Sequence, residues 1–335
     1  MPSYICVADY EHAARERIDA AAWAYIQSGA ADEITLRANV DAWHRLRIVP
    51  RHLRNVPAVY TRCTLLGHEL AHPILLAPIA CHGLVHPDAE LATARGARAA
   101  GAGMVLSSYA TKPVEDVARE APPLFWFQLY VQDRDATTAV IQRAAAAGCS
   151  AIVVTIDTPV SGARDRQARA GFEFPADLPH ITGIPAAQHP LTWQDLAWIR
   201  EAAQLPVILK GVLHPEDAEL AVDAGADAII VSNHGGRNLD TAPATLDALP
   251  RVVDRVAGRI PLLVDGGIRR GTDVLKALAY GADAVLIGRP YIHGLAVDGA
   301  AGVQAVIDIL RRELELAMML CGCASAADLD RSLFF

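Results

Sequence analysis

Short apolar runs alternate with alanine-rich stretches along most of the chain, from about residue 74 to residue 287. The runs suit strands that are buried on both faces, and the stretches between them have helical periodicity. Eight runs are found, at Ile74–Ala77, Met104–Ser107, Phe125–Tyr130, Ala151–Ile156, Pro206–Lys210, Ala228–Ser232, Pro261–Asp265 and Ala284–Ile287. The helix candidates include Pro87–Ala100, Asp135–Ala147, Pro215–Ala224 and Gly271–Tyr280. Eight strand–helix units predict an α/β fold, the (β/α)₈ or TIM barrel.

A small-residue phrase precedes several of these strands. Gly-Ala-Asp-Ala begins at Gly225 and at Gly281, and a related phrase begins at Ala147. Glycine ends a helix in the left-handed conformation, and small residues let the next strand start beneath it. A doubly wound open sheet is the alternative, but the glycine-rich fingerprint of that fold does not follow the first strand.

Two segments lie outside the regular alternation. Residues 1–70 precede the barrel (71–335), and we expect helices at Glu11–Gln27 and Thr35–Trp43 to cover its N-terminal face within a single domain spanning 1–335. The stretch Asp157–Thr192 is the longest irregular connection and follows the fourth strand. Barrel enzymes place their chemistry in the loops after the strands, so this stretch is a candidate active-site loop.

Composition argues against several classes of function. The net charge is −8, which disfavours binding to nucleic acid or to an anionic membrane surface. The six cysteines form no CxxC pair, so neither a disulfide framework nor a metal site is predicted. No uncharged apolar stretch approaches the roughly 18 residues of a membrane span, and the first residues do not have a signal-peptide pattern. The expected location is the cytoplasm.

Polar residues follow the predicted strands, where a barrel gathers its reactive groups at one rim. They are Gln128 and Tyr130, Thr155 and Asp157, Lys210, Ser232 to His234 with Arg237, and Asp265 with Arg269. His234 and Arg237 share one glycine-containing turn, so an arginine that binds a carboxylate would stand beside a base that titrates near neutral pH, with Asp157 orienting that base. The alternative is a capped loop in which both side chains satisfy backbone carbonyls, but the clustering favours a site.

The segments VDGGIRRG (264–271) and IGRP (287–290) predict a phosphate site. Glycine amides allow close approach of an anion, Arg269 and Arg289 neutralise it, and barrels often bind phosphate after strands seven and eight. The alternative is that the glycines only shape turns. Lys210 is interpreted in three ways: as a rim residue, as a cation that faces a reduced flavin, or as a Schiff-base lysine.

Several segments together resemble the FMN-dependent 2-hydroxy acid oxidase and dehydrogenase family, nearly end to end. They are SNHGGRNLD (232–240), VDGGIRRGTDVLKAL (264–278), IGRP, WFQLY (126–130) and YIQSGAADEITLRAN (25–39). Within the family, the chain looks most like bacterial L-lactate oxidases, with glycolate and 4-hydroxymandelate oxidases as further relatives. The segments that carry this similarity are LAPIACHGLVHP (76–87), SSYAT (107–111), DTPVSGARDR (157–166) and KGVLHPEDA (210–218).

The resemblance implies an FMN enzyme that oxidises a small (S)-2-hydroxy acid to the 2-oxo acid, with O₂ as electron acceptor and a homotetrameric assembly. The implied catalytic residues are His234 as base, Asp157 as its partner, and Lys210. The implied substrate contacts are Tyr25, Tyr109, Tyr130, Arg164 and Arg237. The implied FMN contacts are Pro78, Ile79, Ala80, Ser107, Gln128, Thr155, Lys210, Ser232, Asp265, Gly267, Arg269, Gly288 and Arg289. Without the resemblance, Tyr25 could also be a packing residue of the first helix, and Arg164 could also be a solvated loop charge.

One departure from these relatives is expected. The loop after the fourth strand looks shorter and lacks their tyrosines, so we expect a wider mouth that admits an aromatic acid such as a mandelate. Three alternatives to an oxidase stay open: a dehydrogenase that uses a quinone or protein acceptor, another phosphate-binding barrel such as a flavin-dependent isomerase, and a non-catalytic FMN barrel. Ala80 matches the oxidase pattern, and the His–Arg pair has no use in the other two classes.

Overall fold

The computed structural model describes residues 4–181 and 191–335, and at its centre eight parallel strands close into a barrel. The barrel strands are β3 (Ile74–Leu76), β4 (Gly103–Ser107), β5 (Phe125–Leu129), β6 (Ala151–Thr155), β7 (Val207–Val212), β8 (Ala228–Val231), β9 (Leu262–Val264) and β10 (Ala284–Ile287). They are hydrogen-bonded in sequence order, and β10 closes the ring on β3. The predicted TIM barrel is therefore confirmed.

Helices surround the barrel. The chain begins with three further helices, α1 (Val7–Arg15), α2 (Ala20–Gln27) and α3 (Ile34–Arg45). The helices that follow barrel strands are α4 (Ala89–Ala100), α5 (Val114–Glu120), α6 (Arg134–Ala146), α7 (Asp165–Arg169), α8 (Asp195–Ala203), α9 (Pro215–Asp223), α10 (Thr245–Val256), α11 (Gly271–Ala279) and α12 (Arg289–Cys321). Of the helices in the described ranges, α12 alone is long and apolar enough to span a membrane by length and composition. Most of this helix is buried against α1, α4 and α11, and its backbone breaks at Asp298 and Gly299, so it belongs to the outer layer of the barrel.

Side chains alternate between the barrel interior and the helical layer along each strand. The inward cluster includes Leu75, Val105, Trp126, Val153, Ile208, Ile230, Leu263 and Leu286. Two residues further along each strand, the same inward direction is taken by Ala77, Ser107, Gln128, Thr155, Lys210, Ser232, Asp265 and Gly288. The barrel interior is thus apolar in the middle and mostly polar at its C-terminal mouth.

The N-terminal segment differs from the prediction in two ways. The single helix expected at Glu11–Gln27 is two helices, because the Asp19 carboxylate accepts the Ala21 backbone N–H at 2.8 Å and starts α2 anew. The helices also do not cover the N-terminal face. Trp43 of α3 donates to the Gly266 carbonyl at 2.8 Å, beyond the C-terminal end of β9, so this cover lies at the opposite end of the barrel.

A hairpin that was not predicted occupies the N-terminal end instead. It consists of β1 (Cys63–Leu65) and β2 (His68–Leu70), paired antiparallel. Leu65 and Leu70 are buried in the same cluster as the inward side chains of the barrel strands. The hairpin therefore closes the N-terminal end of the barrel, and α3 lies at the C-terminal end.

Candidate active site

A pocket opens at the C-terminal mouth of the barrel, with an empty volume of about 1260 Å³ when its open mouth is included. This is large enough for a cofactor together with a small substrate. Its lining includes eighteen of the predicted site residues: Tyr25, Pro78, Ile79, Ala80, Ser107, Tyr109, Gln128, Tyr130, Thr155, Arg164, Lys210, His234, Arg237, Asp265, Gly267, Arg269, Gly288 and Arg289. The other two, Asp157 and Ser232, lie behind the wall and hold lining residues through hydrogen bonds.

His234 stands between Asp157 and the pocket. Its Nδ1 lies 2.9 Å from Asp157 Oδ1, and its Nε2 lies 3.3 Å from the Tyr130 hydroxyl. The backbone of His234 is left-handed, with φ of 59°, a conformation uncommon for a residue with a side chain. Asn238 donates through Nδ2 to both Asp157 Oδ1, at 3.2 Å, and the Asp157 carbonyl, at 2.9 Å. The turn therefore directs Nε2 of the imidazole into the pocket.

Burial and charge set the protonation of this pair. Burial lowers the pKa of His234, which the Asp157 carboxylate opposes by favouring the imidazolium. Burial alone would raise the pKa of Asp157. The charges of His234 and Lys210 and the hydrogen bonds from His234 and Thr158 outweigh burial, and the net direction of the pKa is downward. The pair at neutral pH is a neutral imidazole on a carboxylate, which suits a base that must take up a proton.

A glycine at the bulge in β7 makes room for Asp157. The strand register shifts between Lys210 and Val212, and Gly211 there has a φ of +113°. A Cβ on Gly211 would lie 2.6 Å from Cβ of Asp157, closer than real Cβ contacts come. The bulge therefore positions the partner of the base.

Arg237 and Arg164 lie on the side of the pocket next to His234. Arg237 donates through Nη1 to the carbonyls of Tyr25 and Ser28 at 2.6 and 2.9 Å, and its guanidinium lies over the Tyr25 ring. Arg164 donates to the Arg237 carbonyl at 3.2 Å. Within the described ranges, neither guanidinium forms an ion pair with a carboxylate. Desolvation lowers the pKa of Arg237 to about 10, and the nearby Arg164 adds to this shift, so an anionic ligand between them would be stabilised.

Lys210 is buried in the floor of the pocket. Its Nζ lies 3.0 Å from Asp265 Oδ2 and donates to Ser232 Oγ at 2.7 Å. Ser232 Oγ in turn accepts the backbone N–H of His234 at 3.1 Å. Of the three interpretations of Lys210, the exposed rim residue is wrong, because only 3% of the residue is accessible.

The other end of the pocket carries Arg269 and Arg289. Arg289 donates to the backbone carbonyls of Ile26, Ser28 and Gly235. Desolvation lowers its pKa to about 9, with further lowering from Arg237 and Arg269, and desolvation also lowers the pKa of Arg269. Two desolvated guanidinium groups without a carboxylate partner in the described chain are the donor set expected of a phosphate site.

Aromatic residues of the loop after β6 were missed by the sequence analysis. Phe174 lines the pocket, with its ring centroid 5.2 Å from that of Tyr25 and 5.9 Å from that of Tyr109, and Phe172 stacks on Tyr25 at 4.3 Å. The alternation of these two residues, Phe-Glu-Phe, was the available signal. The loop therefore contributes an aromatic wall to the pocket, and the expected wider mouth stays a prediction. Residues 182–190 of the predicted loop Asp157–Thr192 lie outside the described residues.

Comparison with known proteins gives the family. The model for the FMN-dependent dehydrogenases matches residues 14–335. The chain belongs to this FMN-dependent dehydrogenase family. It is 46% identical to the L-lactate oxidase of Nostoc sp., over 97% of this chain and 96% of that protein, and 40% identical to 2-hydroxyacid oxidase 1 of Mus musculus, over 99% and 97%. Among solved structures, mandelate oxidase with benzoyl-formic acid superposes with a TM-score of 0.93 at 41% identity, covering 98% of both chains.

The pocket fits FMN, the cofactor of this family. Gln128 Nε2 and Asp265 Oδ1 are buried polar atoms without a hydrogen-bond partner in the described structure, as expected of groups that await a ligand. Arg269 and Arg289 would hold the phosphate. Gln128 and the other inward polar residues at the barrel mouth would hold the ring system and the ribityl chain.

Proposed function

We propose that the protein oxidises an (S)-2-hydroxy acid to the 2-oxo acid and passes the electrons to O₂. The balanced reaction is RCH(OH)COO⁻ + O₂ → RC(O)COO⁻ + H₂O₂. One observation carries the proposal. The base His234, held by Asp157 at 2.9 Å, opens into the same pocket as Arg237, which has no carboxylate partner in the described part of the chain. The relatives named as L-lactate oxidase and 2-hydroxyacid oxidase support it.

The residues of the chain divide the work between binding and proton transfer. Arg237 and Arg164 hold the carboxylate of the acid, with Tyr25 alongside, and so orient its α-carbon. Nε2 of His234 takes the hydroxyl proton or the α-proton of the acid, and the Asp157 carboxylate stabilises the imidazolium that forms. The Tyr130 hydroxyl, 3.3 Å from Nε2, is placed to hydrogen-bond the hydroxyl oxygen of the substrate. Bound FMN supplies the two-electron acceptor.

Lys210 has an electrostatic role in this proposal. Its ammonium group pairs with Asp265 at 3.0 Å in the pocket floor, where positive charge favours an electron-rich ligand above it. We do not assign it a covalent role, because its Nζ is already engaged by both Asp265 and Ser232. Ala80 lines the same pocket and leaves space beside the expected site of electron transfer, which favours O₂ over a quinone or protein acceptor.

Replacing His234 with Ala tests the assignment of the base. We expect a yellow protein with FMN bound, whose flavin absorbance is no longer bleached when lactate, glycolate or mandelate is added without oxygen. Retention of FMN is the control, since it shows that the pocket has folded. Bleaching at the wild-type rate would contradict the role of His234.

Assembly and compartment are also proposals. We propose a homotetramer in the cytoplasm. The exposed apolar residues Leu316, Met319 and Leu320 near the end of α12 favour self-association, and six free cysteines suit a reducing compartment. Light scattering of the purified protein tests the first, and fractionation of the producing cells tests the second.

A further inference from the structure

We propose that Phe174 is a specificity-determining residue that favours 2-hydroxy acids with an apolar or aromatic side chain over glycolate. This inference rests on the proposed function and identifies the class of acid for the same site. Phe174 comes from the described part of the loop after β6 and lines the pocket.

Six side chains follow one another around the rim of the pocket. In order, the successive separations are 4.9 Å from the Arg237 guanidinium carbon to the Tyr25 ring, 5.2 Å from Tyr25 to Phe174, 5.9 Å from Phe174 to Tyr109, 5.0 Å from Tyr109 to Tyr130, and 6.5 Å from Tyr130 to His234. Phe174 therefore lies two places along this series from Arg237, which carries charge, and three from His234, which moves a proton.

This order fixes where the substrate side chain points. A 2-hydroxy acid whose carboxylate meets Arg237 and whose hydroxyl meets His234 has two α-carbon substituents left, the hydrogen and the side chain. The hydrogen must face the electron acceptor. The side chain is then directed to the remaining arc of the rim, which Phe174 and Tyr109 form.

The chemistry of that arc is apolar. The Phe174 ring has no polar atom, and it packs with Tyr109, Leu178 and Cys81 in one small hydrophobic cluster. A phenyl or alkyl side chain gains contact area and ring contacts there, whereas glycolate has only a hydrogen to offer. The wall thus discriminates by side chain and leaves the carboxylate clamp unchanged.

The wall is held in place from behind. Phe172 packs against Phe174 with centroids 5.3 Å apart. Further along the loop, His180 Nε2 accepts the Val114 backbone N–H at 2.9 Å, and Arg143 donates to the Pro179 carbonyl at 2.9 Å. These bonds tie the loop to α5 and α6, so Phe174 is preorganised rather than recruited by the ligand.

The test compares Phe174→Ala with Glu173→Ala as a matched control, because Glu173 is the exposed neighbour of Phe174 in the same loop and does not line the pocket. We would measure kcat/KM for (S)-mandelate, (S)-lactate and glycolate by peroxide release. For Phe174→Ala we expect the mandelate value to fall at least about tenfold while the glycolate value stays within about threefold. Glu173→Ala is expected to leave the mandelate-to-glycolate ratio near that of the wild type.

A binding measurement separates recognition from turnover. Phenylglyoxylate and glyoxylate, the corresponding 2-oxo acids, are titrated against the absorbance of bound flavin, and Phe174→Ala should weaken only phenylglyoxylate. Phe174→Leu, which keeps most of the side-chain volume, serves if the alanine variant does not fold. Equal losses for all three acids, or a gain with mandelate, would overturn the inference. If none of the acids reduces the flavin of the wild-type protein, the proposed function is overturned too. That outcome is distinguishable from failure of the Phe174 inference alone, in which the wild type still oxidises the acids.

Discussion

Replacing Asp157 with Asn tests how the structure activates its base. The change removes the charge that faces Nδ1 of His234 at 2.9 Å while keeping the shape of the side chain. The geometry tolerates it. Thr158 Oγ1 and Asn238 Nδ2 both donate to Oδ1, so the amide oxygen takes that position, and the amide nitrogen replaces Oδ2, which has no hydrogen-bond partner in the described structure.

The size of the effect follows from the lost stabilisation of the imidazolium. A hydrogen bond to a charged group contributes about 1.5–3 kcal/mol. A unit charge about 4 Å away contributes about 4 kcal/mol at an effective dielectric constant of 20. A loss of about 2–4 kcal/mol slows proton transfer by roughly 30- to 1000-fold.

The pH dependence has a definite sign. His234 must be neutral to accept a proton, so flavin reduction rises with pH through the pKa of His234. Burial lowers that pKa and Asp157 raises it in part, so Asp157→Asn should move it further down. The rising limb of the rate shifts to lower pH, and the plateau above it becomes lower.

Anaerobic stopped-flow measurement of flavin reduction across pH gives both quantities. Thr158→Val is the matched control, because it removes one neutral donor to Asp157 Oδ1, at 2.9 Å, and keeps the charge. It should change the rate only a few-fold. An Asp157→Asn plateau within about twofold of the wild type, or a limb that moves to higher pH, would refute this reasoning.

Three further predictions concern the surroundings of the site. Arg289→Met should raise the dissociation constant of FMN about 10- to 100-fold by removing a buried charge at the phosphate end, as measured by flavin release on ultrafiltration; unchanged affinity would contradict the phosphate assignment. Gly211→Ala should push Asp157 out of place and slow flavin reduction with little loss of FMN; wild-type rates would show that the bulge is not needed. Glu90→Gln should lower the melting temperature by a few degrees, because each oxygen of the fully buried carboxylate accepts a backbone N–H, from His82 and from Lys112, and an amide has only one acceptor oxygen. An unchanged melting temperature in calorimetry would argue against this.

The barrel could be predicted because its strands are buried on both faces and so read as uniformly apolar runs. The site residues could be located because inward positions at the strand ends change from apolar to polar, as from Ile208 to Lys210 and from Leu263 to Asp265. Both signals are local in sequence. The roles of these residues remain predictions, which the proposed variants test.

Other features depend on long-range contacts and could not be predicted. Asn39 of α3 and Asn233 exchange amide hydrogen bonds of 2.9 and 2.8 Å, which places the N-terminal helices above the barrel mouth rather than below it. The requirement for glycine at position 211 appears only in the structure, where Asp157 lies beside it. Phe174 lies in an irregular loop, where no periodicity indicates which side chains turn inward.

The most direct measurement of the central claim is an anaerobic titration of the purified protein with a 2-hydroxy acid, followed by admission of air. The account predicts that lactate, glycolate or mandelate bleaches the bound flavin, and that air restores the colour with one H₂O₂ for each 2-oxo acid formed. A flavin that none of these acids reduces would contradict the proposed function. Reduction without peroxide on reoxidation would contradict O₂ as the electron acceptor.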